Sequence, residues 1–309
     1  MIKGNFNKIE VLLIDVDGTY RQALHTMLRA IGFRNIHQGN TMQDIKRNFL
    51  VNEPDLVISD TKLPDGDLCN FIYGLRHHSV GGNPFIPVLA LTADPTAELV
   101  RKVVNSGADD LLTKPLSANQ LMERIDTLIE ARKPFVVTSD YIGPTRRKPS
   151  NRESNVPLLE VPNTLRDKAK GLKADKGLQQ AIDAAVAEIN LQKLERYGVQ
   201  IVYLADHIVP ALLDGIFNED VRRNIARLNY VAEDTSRRMK GTKYEHVSEL
   251  CQTMIKVAKD IHAAGNKPSP RDIKLLKPLA FAIQAGFETG SVTAAREIVA
   301  SLSVGDESS

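Results

Sequence analysis

Leu56-Val57-Ile58-Ser59-Asp60 runs four apolar or small residues into one carboxylate, with Pro54 before it and Pro64-Asp65-Gly66 after it. A short apolar run bounded by turn formers reads as a buried strand, and its last residue then stands at the strand's carboxyl end. In open α/β sheets that rim is where ligands bind, so an Asp delivered there by a buried strand is a candidate for chemistry.

The sequence on either side repeats the same unit. Residues 9–14 form an apolar run closing on Asp15-Val16-Asp17-Gly18, and a helical spacing at Leu24, Met27, Leu28 and Ile31 follows before Gly32 stops it. A short strand is expected over 35–38 and a helix over 41–52. After Asp60 come a helix over 68–77 and a strand over 87–91 closing on Thr92. A helix opens at Asp94-Pro95 as cap and first position, a strand over 110–113 closes on Lys114-Pro115, and Ser117 with Gln120 makes a capping box for a helix ending near Arg132. Five strands alternating with five helices predict a doubly wound, five-stranded parallel sheet.

Four strand ends therefore bring Asp15 and Asp17, Asp60, Thr92, and Lys114 to one rim. Clustered carboxylates repel each other and favour a hard divalent cation such as Mg²⁺, which takes oxygen ligands and holds phosphoryl oxygens. A lysine and a hydroxyl opposite that ion grip the remaining oxygens of a phosphoryl group in transfer, where positioning and charge stabilisation dominate. One carboxylate can act as the nucleophile, forming an acyl phosphate.

In this order and spacing the residues resemble the receiver domains of bacterial two-component response regulators, over about residues 8–132. The resemblance rests on Ile14-Asp15-Val16-Asp17, on Asp60 followed by Lys62-Leu63-Pro64-Asp65-Gly66, on Leu91-Thr92-Ala93, and on Thr113-Lys114-Pro115. It implies a flavodoxin-like fold in which Asp60 accepts a phosphoryl group from the phosphohistidine of a sensor kinase or phosphotransfer protein. It also implies that Asp15, with Asp60 and in part Asp17, holds Mg²⁺, that Lys114 pairs with a phosphoryl oxygen, and that Thr92 reports occupancy. Two positions depart from the family. Val16 stands where a second adjacent acid is usual, so either metal binding is weaker or Asp17 substitutes at some geometric cost, and Leu111 stands where an aromatic often is, so packing shifts rather than a buried ring would read the switch.

The string Asp15-Val16-Asp17-Gly18-Thr19 also fits the first motif of haloacid-dehalogenase-like phosphatases, with Asp15 as nucleophile and Asp17 as general acid. That family needs a later acidic strand, absent here, and gives Asp60 no role. Taken singly, the other candidates have plainer parts: an Asp at a strand end is most often a turn former or cap, Asp65-Gly66 is turn chemistry, and His77-His78 are expected to be exposed.

From Arg132 to about Thr164 the pattern gives way to Pro134, Pro144, Pro149, Pro157 and Pro162 with Arg146, Arg147, Lys148 and Arg152, which predicts a flexible basic linker. From Leu165 onward the chain is expected to form five or six amphipathic helices, broken at Gly198, Gly215, Gly241, Gly265 and Gly290, packed as an all-α bundle. One stripe is Val221, Ile225, Leu228, Ala232 and Thr235, a second is Val247, Leu250, Met254, Val257 and Ile261, and a third is Ile273, Leu276, Ala280, Ile283 and Phe287. The stripe Leu178, Ile182, Val186 and Ile189 could serve as a homodimer seam. His207 is the one histidine to weigh for phosphotransfer, but Pro210 follows it and the matching signature is missing. Arg222, Arg223, Arg227, Arg237, Arg238 and Lys240 are interleaved with Glu219, Asp220, Glu233 and Asp234, so nucleic acid is not expected as a partner.

The chain has 309 residues, 42% of them hydrophobic, and a formal net charge of +2, which by itself argues for neither nucleic acid nor membrane binding. No apolar run reaches the roughly 18 residues of a membrane span and the N-terminus lacks a signal peptide's apolar segment, which leads us to expect a cytoplasmic protein. Cys69 and Cys251 fall in different halves and are expected to be reduced packing residues. The organisation expected is thus a receiver over 1–132, a linker over 133–164 and an all-α output or interaction domain over 165–309. It acts as a phosphoryl acceptor rather than an enzyme and passes its signal to a downstream protein.

Overall fold

The computed structural model describes residues 6–146, 157–172 and 177–289. It divides into two compact units, Met1–Ala187 and Glu188–Ser309. The first unit opens with β1 (Glu10–Ile14), α1 (Gly18–Ile31), β2 (Asn35–Gly39), α2 (Met42–Val51) and β3 (Leu56–Asp60). A two-residue hairpin, β4 (Lys62–Leu63) with β5 (Gly66–Asp67), leads into α3 (Leu68–Arg76), β6 (Val88–Thr92), α4 (Ala97–Ser106), β7 (Asp110–Thr113) and α5 (Ala118–Glu130). Five strands form one sheet in the order β2-β1-β3-β6-β7, every pair parallel. This is the flavodoxin-like doubly wound fold expected from the sequence, and its strand order reverses between β1 and β3.

The pleat sends alternate strand residues to opposite faces. Val11, Leu13, Leu56, Ile58, Leu89 and Leu91 pack with Leu24 and Leu28 of α1 and Leu121 and Ile125 of α5. Leu12, Ile14, Val57, Val88 and Ala90 pack on the other face with Ile45 of α2, Leu68 and Ile72 of α3, and Val103 of α4. Burial on both faces explains why these strands read as continuous apolar runs.

Local signals mostly act as read. Ser117 and Gln120 form the capping box of α5, and Asp65 accepts hydrogen bonds from the Met42 and Gln43 amides at 2.6 and 3.0 Å, so its turn also holds the start of α2. Two expectations need correction. The cap of α4 is Thr96, which accepts from the Leu99 amide, and not Asp94. His77 is buried, stacked on Tyr73 at a ring separation of 3.9 Å; only His78 is exposed.

The expected linker over 133–164 and the boundary at 165 are also corrected by the structure. β8 (Phe135–Val137) and β9 (Ile142–Pro144) form an antiparallel hairpin, and Phe135 pairs with Leu159. Phe135 is fully buried and lies between the guanidinium groups of Arg76 and Arg132, 5.3 and 5.2 Å from its ring centre. Those arginines clamp Asp109: Arg76 Nη2 donates to Oδ2 at 2.9 Å and Arg132 Nε to Oδ1 at 2.7 Å. Burial pulls the Arg76 guanidinium down to about 10, against the opposing pull of Asp109. Gly107, at φ +93°, passes so close that a Cβ there would meet the Ile142 carbonyl oxygen at 2.6 Å. Further on, α6 (Thr164–Ala169) buries Leu165 and Ala169 in the core beside α5, and Lys168 pairs with Asp55 at 2.7 Å. Among the described residues this segment is therefore part of the first unit. Arg147, Lys148, Pro149 and Arg152 lie outside them.

The boundary between the units falls within α7 (Leu178–Leu213), a 36-residue helix. With α8 (Glu219–Met239), α9 (Ser248–Ala264) and α10 (Pro270–Thr289), it supplies four long helices among the described residues, where five or six were expected. The difference comes from α6, which packs with the first unit, and from Gly198, which does not break α7. Gly198 instead lets α10 approach: a Cβ there would meet Phe287 at 3.0 Å and the Gln284 Cα at 3.7 Å. The three stripes read in α8, α9 and α10 all face the core of this second unit, Leu250 at its edge. Gly290 lies outside the described residues.

Candidate functional site

The switch point between β1 and β3 sits at the carboxyl rim of the sheet, and the functional side chains gather beside it. Asp15 follows β1, its amide bonded to the Gly39 carbonyl at 3.2 Å, and its side chain is fully buried. Asp60 ends β3 in register with Leu91 of β6, with 13% of its side chain exposed. Lys114 follows β7, and its amide extends the ladder to the Thr92 carbonyl at 2.8 Å. The Lys114 ammonium bridges both acids, 2.6 Å from Asp15 Oδ2 and 2.8 Å from Asp60 Oδ2. Burial pushes the Lys114 ammonium's pKa down, but its hydrogen bonds to the two carboxylates outweigh that and hold it above the ordinary lysine value.

Thr92 is buried on the same rim, in register with Thr113. Its hydroxyl accepts from the Asp94 amide and donates to the Asp94 carbonyl, both at 3.2 Å, so it is bonded to its own loop and makes no hydrogen bond to Asp60. Leu111 is half-buried in the cluster under α4 and lines a groove of about 280 Å³ with Val100, Val104, Thr113 and Arg146.

Asp17 is not brought into this cluster. Its carboxylate caps α1, accepting from the Thr19 amide at 2.8 Å and the Tyr20 amide at 3.1 Å. Asp15, Asp17 and Asp60, expected together as a metal set, do not gather as one group: no cluster of three or more acidic, histidine or cysteine side chains suited to a metal occurs among the described residues. The pair Asp15 and Asp60 still fits Mg²⁺: Asp15 Oδ2 is buried with no hydrogen bond beyond the Lys114 ion pair, and Mg²⁺ commonly takes one or two carboxylates while keeping waters and phosphate oxygens.

Two neighbours were not read from the sequence as site residues. Tyr20 lies in the first turn of α1 with its ring facing the Lys114 ammonium, 5.0 Å away, and its hydroxyl accepts from the Leu116 amide at 3.2 Å. Arg21 Nη1 donates to the Asp15 carbonyl at 2.5 Å. Helical periodicity flags neither, because both contacts are made to residues distant in the chain or to backbone.

Other candidates do not assemble a site. His207 is exposed, with Nδ1 at 2.7 Å from the Tyr203 carbonyl. Arg238 is buried on Asp234, and Arg237 pairs with the same carboxylate. Ile182 and Ile189 of the expected dimer seam are already buried within the single chain.

A doubly wound sheet with an aspartate, a buried acid and a lysine converging at the β1/β3 rim defines a phosphoacceptor-type module. Residues 11–126 match the family described as the response regulator receiver domain, and that part of the chain is a receiver domain. The chain is 33% identical over 115 residues to the KDP operon transcriptional regulatory protein KdpE of Escherichia coli, a match covering 37% of this chain and 48% of that protein. It is 30% identical over 151 residues to the virulence transcriptional regulatory protein PhoP of Salmonella typhi, covering 48% of this chain and 64% of the relative. The chain thus spans about half to two thirds of the length of these relatives. Among solved structures, the receiver domain of the sensor histidine kinase PA1611 of Pseudomonas aeruginosa, with magnesium in its active-site cleft, is 23% identical. It aligns with a TM-score of 0.34 over 38% of this chain and 93% of that one. Both sequence relatives are named as transcriptional regulators, so they lend no support to the expectation that nucleic acid is not a partner. Among the described residues no helix is long and apolar enough to cross a membrane.

Proposed function

We propose that the chain is a response regulator of a phosphorelay, in which Asp60 accepts a phosphoryl group from a phosphohistidine on a sensor kinase or phosphotransfer protein. The observation that carries this reading is the Lys114 ammonium held within 2.8 Å of both Asp15 and Asp60. A carboxylate oxygen of Asp60 attacks phosphorus, the new O–P bond forms as the P–N bond breaks, and the electron pair returns to the imidazole, which picks up a proton from solvent. Lys114 stays with the incoming oxygens and offsets the charge that builds on them. Asp15 and Asp60 would hold Mg²⁺, which supplies further charge neutralisation when bound. Thr92 turns its hydroxyl from Asp94 toward the phosphoryl group, and Leu111 repacks against α4, so two arrangements of the α4–β7 face exchange populations. The helical second unit serves as the output, through a protein partner.

Incubation with Mg²⁺ and acetyl phosphate is expected to give a labile adduct that Asp60→Ala abolishes. Retention of the adduct in that variant overturns the assignment. A second reading, favoured by the names of the two sequence relatives, has the output contact nucleic acid. It predicts binding to duplex DNA that weakens steeply with added salt, and salt-independent or absent binding excludes it.

A further inference from the structure

We propose that Tyr20 is a positioning residue for Lys114, an inference that rests on the phosphoacceptor reading. The side chain reaches Lys114 from two directions. Its ring faces the ammonium at 5.0 Å, within the range where the negative π-face attracts a cation. Its hydroxyl accepts the Leu116 amide at 3.2 Å, two residues beyond the lysine, and so ties down the backbone that carries it. The flank of the ring is held by the core beside α1 and α5. The Tyr20 backbone is fixed in turn by Asp17, whose carboxylate accepts its amide while capping the helix. Asp17 thus reaches the site through Tyr20.

The consequence is mechanical. Phosphorylation of Asp60 places the oxygens that Lys114 must follow farther from the Asp60 backbone, and leaves Asp15 competing for the same ammonium at 2.6 Å. A ring beneath the ammonium keeps its charge stabilised along that path. A flexible lysine stem without that surface samples many rotamers.

The test uses the full chain with acetyl phosphate and magnesium chloride, comparing wild type, Tyr20→Phe and Tyr20→Leu. The Leu variant is expected to take up label roughly threefold to tenfold more slowly, the rate equivalent of a cation–π contact, and the Phe variant to recover most of the loss. Nuclear magnetic resonance supplies the second readout: the methylene protons beside the Lys114 ammonium should be shifted upfield by the ring in wild type and Tyr20→Phe and return to ordinary values in Tyr20→Leu. Uptake in a folded Tyr20→Leu protein equal to wild type overturns the proposal, as does a Lys114 signal that ignores the substitution. If wild type takes up no label, the phosphoacceptor reading fails and the positioning role falls with it, and the Lys114 signal still tells whether the contact exists.

Discussion

Asp15 and Asp17 are two residues apart on one turn and make different contacts. Asp15 is buried against Lys114, and Asp17 is an exposed helix cap. Replacing Asp17 by Ala is expected to cost about 0.5–2 kcal/mol, the usual range for losing a cap, read as a lower urea midpoint with an unchanged slope. Titration of the full chain with Mg²⁺ should give the same affinity in Asp17→Ala as in wild type; a tenfold loss would restore the carboxylate as a ligand. The two cysteines make a further residue-scale prediction. Burial pushes the Cys69 thiol up to about 11 and the Cys251 thiol up to about 12. Neither forms the reactive thiolate near neutral pH, so native protein should resist alkylation that goes to completion in urea.

At the scale of elements, the hairpin of β8 and β9 is the part the sequence concealed. Its strands are three residues long, too short for an alternation to register, and its prolines and arginines match the composition of a linker. What holds it is remote in sequence: the Arg76 and Arg132 guanidinium groups lie 5.3 and 5.2 Å from the Phe135 ring centre, and Arg146, just past β9, donates to the Ala108 and Asp109 carbonyls. Phe135→Ala in the full chain is expected to destabilise the first unit by about 3–5 kcal/mol, the cost of emptying a buried aromatic site, seen by denaturant unfolding. A change below about 0.5 kcal/mol would mean that the hairpin does not dock. The one signal available beforehand was the apolar triplet Phe135-Val136-Val137, which stands out against its surroundings.

At the scale of the whole molecule, the second unit contains a buried polar network with a pH signature. Tyr197 donates to Asp234 Oδ2 at 2.9 Å and Arg238 Nε donates to the same oxygen at 2.8 Å. Burial pushes the Asp234 carboxyl's pKa up, but Arg238 and Arg237 prevail and hold it well below the ordinary value. The folded pKa therefore lies under that of the unfolded chain, about 3.9. Above that pH both states are ionised and the contribution is fully present; below it the unfolded state takes up the proton first and stability falls. The stability difference between wild type and Asp234→Asn, measured by urea unfolding, should be constant from pH 7 to about 5 and shrink as pH drops below about 4.

The alternation of apolar strands and amphipathic helices, with Asp60 and Lys114 at strand ends, was settled by the sequence alone. Each of those features depends on neighbours within a few positions along the chain or on a periodicity that burial imposes. Tertiary structure alone decided that Asp15 meets Lys114, that Tyr20 faces the same ammonium, that residues 135–144 pack within the first unit, and that Gly198 is a contact and not a break. Those outcomes depend on which distant groups arrive within about 3–5 Å of a side chain. Spacing along a sequence sets the direction in which a side chain leaves its own element and says nothing of what waits there.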